Sequence, residues 1–289
     1  MSRILVPLDL SPLAEEALPW AALLARVRQC GVHLLAVWNE RAPLAGVDGN
    51  ASLGEILAAA KAALDRMAAR PTFEGIEVST EVRAGEIEEE VAEAVVAQDV
   101  DLVVMKSHGR GGFKRLLVGS VADRLLRTLN VPMLVDRQGG VPPALHRILV
   151  TLDGSPEAET ALDIARELAA AAGAEVVLLT VYEEDPQTHI HKYPGSDYLG
   201  ALPEEVHAAA DRYMAAVARE PERREIREGR PAGVIIDVAR ELECDIIVMA
   251  TRGRSSAIRL ALGSTSDAVM RAADRPVLFV PLRGDSEST

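Results

Sequence analysis

Two glycine-containing loops are the segments of this sequence best suited to chemistry, because each can bring backbone N–H groups to an anion. One lies in residues 245–264, DIIVMATRGRSSAIRLALGS, where nine residues separate Gly253 from Gly263 and Ser264 follows directly. The apolar, β-branched run before the loop predicts a buried strand, and a helical pattern begins at Ser264. Glycines, a hydroxyl and a helix N-terminus beyond a strand end predict a concavity that stabilises phosphate.

The same segment occurs once earlier, which makes the chain an internal duplication. Residues 101–120 read DLVVMKSHGRGGFKRLLVGS. Gly109 and Gly119 precede Gly253 and Gly263 by 144 residues each, as counted along the sequence. We therefore expect two similar cores in a chain whose length suits two domains.

The start of each repeat supplies the other residue type of interest, a carboxylate at a strand end. A strand pattern at 3–8 leads into Asp9 and then Ser-Pro, and the pattern at 147–152 leads into Asp153 and the same dipeptide. A carboxylate there accepts hydrogen bonds from ribose hydroxyls. The predicted boundaries are domain 1 at 1–137, a linker at 138–146, domain 2 at 147–283 and a polar tail at 284–289.

Strands and helices alternate strictly in both halves, which predicts an α/β fold with parallel, doubly wound sheets and right-handed crossovers. In the first half Ser11 is the expected N-cap of a single helix that runs to residue 28 and is ended by Gly31. Polar segments at 39–54 and 183–203 are expected to be long loops over the carboxyl ends of the sheets. The other expected strands are 32–38, 77–83, 131–136, 176–182, 224–228, 246–250 and 276–280; the other expected helices are 55–69, 85–98, 120–129, 156–172, 205–219, 231–241 and one from 264.

Composition and charge narrow the classes of function. The 31 basic and 44 acidic residues give a formal charge of −13, which argues against a nucleic-acid surface. The two cysteines, Cys30 and Cys244, stand at non-equivalent positions and indicate neither a disulfide framework nor a thiolate metal site. The sequence shows no signal peptide and no apolar run of ~18 residues, so we expect a cytoplasmic protein without membrane contact.

The repeated motifs resemble the universal stress protein family over nearly the whole chain, most weakly in the loops at 39–54 and 183–203. That resemblance implies two doubly wound, parallel five-stranded sheets of the Rossmann-like, adenine-nucleotide alpha hydrolase-like type. Family members that bind ATP carry G-x2-G-x9-G-[S/T]. Here the second glycine, the spacing and the Gly-Ser are intact, but Lys106 and Ala250 replace the first glycine.

The resemblance also implies ligand contacts. Asp9 and Asp153 would contact the adenosine, backbone groups of Val37 and Val181 would pair with adenine, and a methionine in each repeat would line the base pocket. The glycines and serines of the loops would hold phosphates. The implied binding residues are Pro7, Asp9, Val37, Met105, Lys106, Gly109, Arg110, Gly119 and Ser120 in the first repeat, and Thr151, Asp153, Val181, Met249, Ala250, Gly253, Arg254, Gly263, Ser264 and Thr265 in the second.

The departure at the first glycine ranks the two sites. Ala250 adds one methyl group, whereas Lys106 adds a long chain that either fills the pocket or swings outward to offer a cation to phosphate. The second repeat is therefore the expected main site. The implied ligand is ATP, or ADP or AMP in its place, with or without Mg²⁺.

Each of these features also has a purely structural interpretation. Asp9 and Asp153 can anchor the strand-to-helix turn. Ser120 and Ser264 can be helix N-caps. The basic residues of the loops can be a solvated edge: Arg110, Lys114, Arg115, Arg254 and Arg259. His189 and His191 are expected to be solvated loop residues rather than metal ligands.

The sequence contains no Walker loop, no G-x-G-x-x-G after the first strand and no nucleophile elbow, and Ser107 beside His108 is not a triad. We therefore expect a binding protein with no catalytic residues and at most slow ATP hydrolysis. One alternative is a nucleotide-free protein-interaction scaffold of the same fold. The other is a slow ATP hydrolase or phosphotransferase, in which Asp9 or Asp153 would hold the metal.

The last strand of each repeat, at 131–136 and 276–280, is apolar and would leave an open sheet edge. Universal stress proteins commonly pair this strand with that of a partner. The resemblance therefore implies that the two halves pair through these strands, and that two chains form a homodimer. An additional protein partner is an open expectation.

Overall fold

The computed structural model describes residues 2–48, 51–107, 119–137, 140, 144–183, 203–251 and 262–282. The chain divides into two compact units, Met1–Pro143 and Ala144–Thr289.

The first unit contains a parallel five-stranded sheet in the order β3-β2-β1-β4-β5. Its strands are β1 (Arg3–Leu8), β2 (Gly31–Trp38), β3 (Val78–Ala84), β4 (Val100–Lys106) and β5 (Met133–Asp136). Its helices are α1 (Pro12–Glu15), α2 (Leu18–Arg28), α3 (Leu53–Ala68), α4 (Ile87–Ala97) and α5 (Ser120–Thr128), with a 3₁₀ turn at Pro71–Phe73.

The second unit has the equivalent parallel sheet in the order β8-β7-β6-β9-β10. Its strands are β6 (Arg147–Leu152), β7 (Glu175–Tyr182), β8 (Arg223–Glu228), β9 (Ile246–Ala250) and β10 (Val277–Val280). Its helices are α6 (Pro156–Ala172), α7 (Pro203–Val217), α8 (Pro231–Glu241) and α9 (Ser264–Ala272). The predicted fold class is confirmed in both units.

The central strands are continuous apolar runs because helices cover both of their faces. Right-handed crossovers toward β3 and then back toward β4 place α2 and α3 on one face and α4 and α5 on the other. In accordance with this, α3 packs on β2 and β3, while α4 packs on β2, β4 and α5. Residues Leu102, Val103 and Val104 of β4 are fully buried as a result.

The single helix predicted after β1 is wrong, because the chain forms α1 and α2 with a turn at residues 16–17. Pro19 lacks the N–H that would bond to the carbonyl of Glu15, so a continuous helix cannot pass through it. The predicted cap is confirmed: Ser11 Oγ accepts a hydrogen bond from Ala14 N at 3.2 Å.

The predicted end of that helix is also wrong. Gln29, with φ of 52°, takes the left-handed conformation that closes α2, and Gly31 is the first residue of β2. In the second unit the equivalent position is Gly173, with φ of 69°, and α6 spans Pro156–Ala172 as predicted. Glycine adopts this conformation at no steric cost, whereas glutamine does not.

Within the described part of the chain, none of the helices is both long enough and apolar enough to cross a lipid bilayer.

Candidate functional site

The strand order locates one crevice in each unit. The connections from β1 and from β4 leave in opposite directions, so the carboxyl ends of these neighbouring strands form the topological switch point, where ligands of open α/β sheets bind. The equivalent point in the second unit lies between β6 and β9.

Most of the predicted binding residues lie on elements that border these two crevices. In the first unit they are Pro7 on β1, Asp9 after it, Val37 on β2, Met105 and Lys106 on β4, and Gly119 and Ser120 at the start of α5. In the second unit they are Thr151 on β6, Asp153 after it, Val181 on β7, Met249 and Ala250 on β9, and Gly263, Ser264 and Thr265 at the start of α9. Gly109, Arg110, Gly253 and Arg254 lie outside the described residues, as do His189 and His191.

Each strand-end carboxylate has one oxygen engaged and one available. Asp153 Oδ1 accepts hydrogen bonds from the backbone N–H of Ser155, at 3.0 Å, and from its hydroxyl. Asp9 Oδ1 accepts from Ser11 N at 2.9 Å in the same way. The turn-anchoring interpretation is thus correct for Oδ1, while Oδ2 of both residues has no hydrogen-bond partner among the described residues. Both side chains are partly exposed, so Oδ2 can accept from a ligand hydroxyl.

The turn after each of these strands needs a left-handed residue. Gly154 supplies it in the second unit with φ of 78°, whereas the first unit places Leu10 there with φ of 60°. Leucine in this conformation costs roughly 1–2 kcal/mol. Burial offsets that cost, because Leu10 is 6% exposed.

The direction of the Val37 backbone follows from that of its neighbour in β2. Trp38 O accepts from Gly85 N at 3.1 Å on the β3 side, and successive strand residues point to opposite neighbours. The N–H and C=O of Val37 therefore face the β1 side, one residue beyond the last β1–β2 pair, Leu8 with Ala36. Val181 has the same orientation in the second unit, where Tyr182 O accepts from Gly229 N.

The loop after β2 passes over the same edge of the sheet. Ala45 N donates to Asp9 O at 2.8 Å, and Leu44 is 2% exposed. The predicted position of this loop at the carboxyl end is confirmed by that contact.

The start of α9 is tied to the end of β9. Gly263 N donates to Thr251 O at 2.9 Å, and Ser266 Oγ donates to Ala250 O at 3.0 Å. The first intrahelical bond of α9 runs from Asp267 N to Gly263 O, so three N–H groups precede it. These groups and the macrodipole favour an anion at this end of the helix.

The N-cap interpretation of the two serines is wrong. Gly119 and Gly263 are the N-caps, neither helix start has a side-chain cap, and Ser120 and Ser264 are the first helical residues. Both serine side chains are exposed. Their hydroxyls are therefore not consumed by capping and can donate to a ligand oxygen.

Lys106 is buried in an ionic cluster with Asp136 and Glu16. Its Nζ lies 2.9 Å from Asp136 Oδ2 and 3.0 Å from Glu16 Oε2. The lysine and Asp136 side chains are 2% and 1% exposed. The ammonium group thus turns toward the protein's own carboxylates, so of the two positions expected for the Lys106 side chain, filling the pocket or swinging outward, the structure contradicts the outward one.

The second unit has no charge at the matching positions. Lys106 faces Asp136 across the β4–β5 pair, and Ala250 faces Val280 at the same register of β9–β10. Thr160 stands where the first repeat has Glu16. Sequence reasoning missed Asp136, Glu16 and Ser266. A comparison of the repeats at the 144-residue offset would have found the first two, since charge appears at both positions in one repeat only.

In the part of the chain that the structure describes, no group of three or more His, Cys, Asp or Glu residues could hold a metal ion. A Mg²⁺ ion at either crevice would depend on phosphate oxygens as well as one carboxylate.

The fold and site thus define a duplicated α/β protein with a carboxylate and a helix start at each switch point. A family model for the universal stress protein family matches residues 1–137 and 144–281. The chain belongs to the universal stress protein family.

Individual relatives agree with this assignment. A universal stress protein of Mycolicibacterium smegmatis is 27% identical over 296 residues, covering 96% of each chain. The Mycobacterium tuberculosis universal stress protein Rv2005c is 29% identical over 189 residues, an alignment that spans 63% of this chain and 62% of that protein. Among solved structures, a universal stress protein of Archaeoglobus fulgidus aligns with a TM-score of 0.70 at 23% identity, over 96% of this chain and 98% of that one, which supports the fold.

Proposed function

We propose that this universal stress protein binds an adenine nucleotide in the crevice of its second repeat. The nucleotide is ATP, with ADP or AMP as the alternatives. The observation that carries the proposal is the composition of that crevice. It combines the available Oδ2 of Asp153 at the end of β6 with the uncapped N-terminus of α9, next to the small side chain of Ala250.

The crevice offers acceptors at the end of β6 and donors at the start of α9, which suit the ribose and the phosphates of a nucleotide respectively. The Asp153 carboxylate accepts from ribose hydroxyls, and the N–H groups and hydroxyl at Ser264 donate to phosphate oxygens. Val181 faces β6 at the level of Asp153, so an adenine bound as the family resemblance implies would lie beside its backbone. Recognition of the nucleotide thus depends on backbone groups supported by a few side chains.

Calorimetric titration of ATP tests the proposal. We expect Gly253→Val to abolish binding, because a branched side chain blocks the approach of phosphate to the loop backbone. The matched variant Gly109→Val, at the equivalent position of the first repeat, should leave the affinity unchanged. Loss of binding in Gly109→Val alone would contradict the proposal.

Turnover is not part of the proposed function. With ATP and Mg²⁺ the protein should release phosphate no faster than about one per minute, far below the ~10 per second typical of enzymes. Asp153→Asn should weaken nucleotide binding. It should leave the slow release of phosphate without a large change, because no enzyme-like rate is expected in the parent protein. Sustained release at enzyme-like rates that is lost in Asp153→Asn would instead support the phosphotransferase alternative.

A further inference from the structure

The first repeat has a crevice of the same architecture, but one of its walls is charged. Lys106 ends β4 at the switch point, and its ammonium group contacts Asp136 on β5 and Glu16 at the end of α1. These three side chains, here called the Lys106 cluster, connect the end of β4, which borders the crevice, to β5 and to the end of α1. A ligand phosphate at this strand end would lie against them.

The cluster cannot serve a phosphate as it stands. An ammonium group has three N–H donors, and two carboxylates already surround this one at hydrogen-bonding distance. The Lys106 side chain also occupies the end of β4, where the second repeat has only the methyl group of Ala250 at the end of β9. Moving Lys106 to a phosphate would also break both of these carboxylate contacts, one of which is to an Asp136 side chain that is 1% exposed.

The second repeat replaces all three positions with uncharged residues. Ala250 and Val280 occupy the register of Lys106 and Asp136, and Thr160 occupies the position of Glu16. The backbone around the two positions is otherwise alike: Ser107 N donates to Asp136 O, and Thr251 N donates to Val280 O. The difference between the crevices is therefore a difference of side chains at these three positions, and the two in the first sheet, Lys106 and Asp136, are buried.

We infer that the Lys106 cluster closes the first crevice to nucleotides, so that each chain carries one nucleotide site, and that Lys106 and Asp136 are the residues that determine this asymmetry. The inference rests on the proposed function only for the site in the second repeat. It adds that the first repeat retains a nucleotide-site architecture that its own ion pair blocks.

Equilibrium dialysis with labelled ATP tests the inference on the full chain. The double variant Lys106→Ala with Asp136→Val should bind one nucleotide more per chain than the parent protein does. It removes one cation and one anion, so the net charge of the chain is unchanged and general electrostatics cannot explain a gain. An equal number of sites in the parent and the variant, or two sites already in the parent, would overturn the inference.

The same comparison in the Gly253→Val background separates the two proposals. With the second crevice blocked, the parent should bind no nucleotide and the double variant should bind one. If the unmodified parent binds none, the proposed function fails, while a site gained in the double variant still supports the inference.

A reciprocal variant covers the case in which the double variant does not fold, which Trp20 fluorescence reports. Ala250→Lys with Val280→Asp and Thr160→Glu transfers the cluster to the second repeat and should remove the nucleotide bound there. Retained binding in this variant would overturn the inference.

Discussion

The stability of the first unit should depend on Lys106 and Asp136 as a pair rather than on either alone. Asp136→Val removes the buried counter-ion of a lysine that is 2% exposed and leaves it only Glu16, which is 49% exposed. Removing one partner of a buried ion pair typically costs ~3–5 kcal/mol. Replacing both residues by the uncharged pair of the second repeat is expected to cost ~0–2 kcal/mol, since apolar replacement of a buried ion pair is often neutral. The double variant should therefore be more stable than Asp136→Val by at least ~1 kcal/mol, a difference within the range of coupling between contacting residues.

Urea unfolding followed by tryptophan fluorescence measures the stability of the first unit selectively. Both tryptophans, Trp20 and Trp38, belong to the first unit, so the signal reports on that unit. With a slope of ~2 kcal/mol per M, a loss of ~4 kcal/mol lowers the midpoint for Asp136→Val by ~2 M.

A matched control is available on the surface of the same unit. Lys61 pairs with Asp65 at 2.6 Å, but the two side chains are 46% and 52% exposed. Lys61→Ala should therefore cost no more than ~0.5 kcal/mol. Equal midpoints for Asp136→Val and Lys61→Ala would refute the buried pair, and additive single effects in the double variant would refute the coupling.

Three further predictions concern stability and reactivity. Gln29→Gly should stabilise the first unit by ~0.5–1 kcal/mol by relieving its left-handed conformation, and the reverse change Gly173→Gln should destabilise the second unit, as measured by calorimetry. Burial lowers the pKa of His33 despite the opposing effect of Glu81. The unfolded chain therefore binds a proton near pH 6.5 that the folded chain does not, so stability should fall as pH drops below 6.5, down to the folded pKa, and His33→Val should reduce that slope in urea unfolding. Burial raises the pKa of the Cys244 thiol to about 11, so this thiol should react with a disulfide reagent at pH 8 only after unfolding.

Each of these predictions has a result that would contradict it. A lower midpoint for Gln29→Gly would show that its left-handed backbone carries no strain. An unchanged pH slope in His33→Val would mean that another group titrates in that window. Rapid modification of folded Cys244 would contradict its 1% exposure.

The fold was largely predictable because local patterns and the duplication agree. Unbroken apolar runs such as 246–250 indicate strands covered on both faces, and their alternation with helical segments permits few topologies. Because the repeats are offset by 144 residues, each strand or helix predicted in one half also supports the equivalent prediction in the other half. The errors were local. Pro19 interrupts a helix whose apolar spacing continues through it. Gln29 takes the left-handed conformation that ends α2, although glycine is the usual residue for this conformation and Gly31 was therefore the predicted one.

The candidate site was less predictable because its decisive contact is tertiary. The type and spacing of residues identified Asp153, Gly263 and Ser264 near one strand end. They did not reveal that Lys106 bonds to Asp136, 30 residues away on the neighbouring strand. A lysine's long side chain allows either an outward or an inward position, and only the packed structure of the sheet decides between them.

Native mass spectrometry of the intact chain after incubation with ATP gives both the mass and the number of bound ligands, so it measures nucleotide binding without an indirect readout. We expect one adenine nucleotide per chain in the parent protein and none in Gly253→Val. A spectrum of the parent protein that shows only the ligand-free chain at saturating ATP would contradict this expectation.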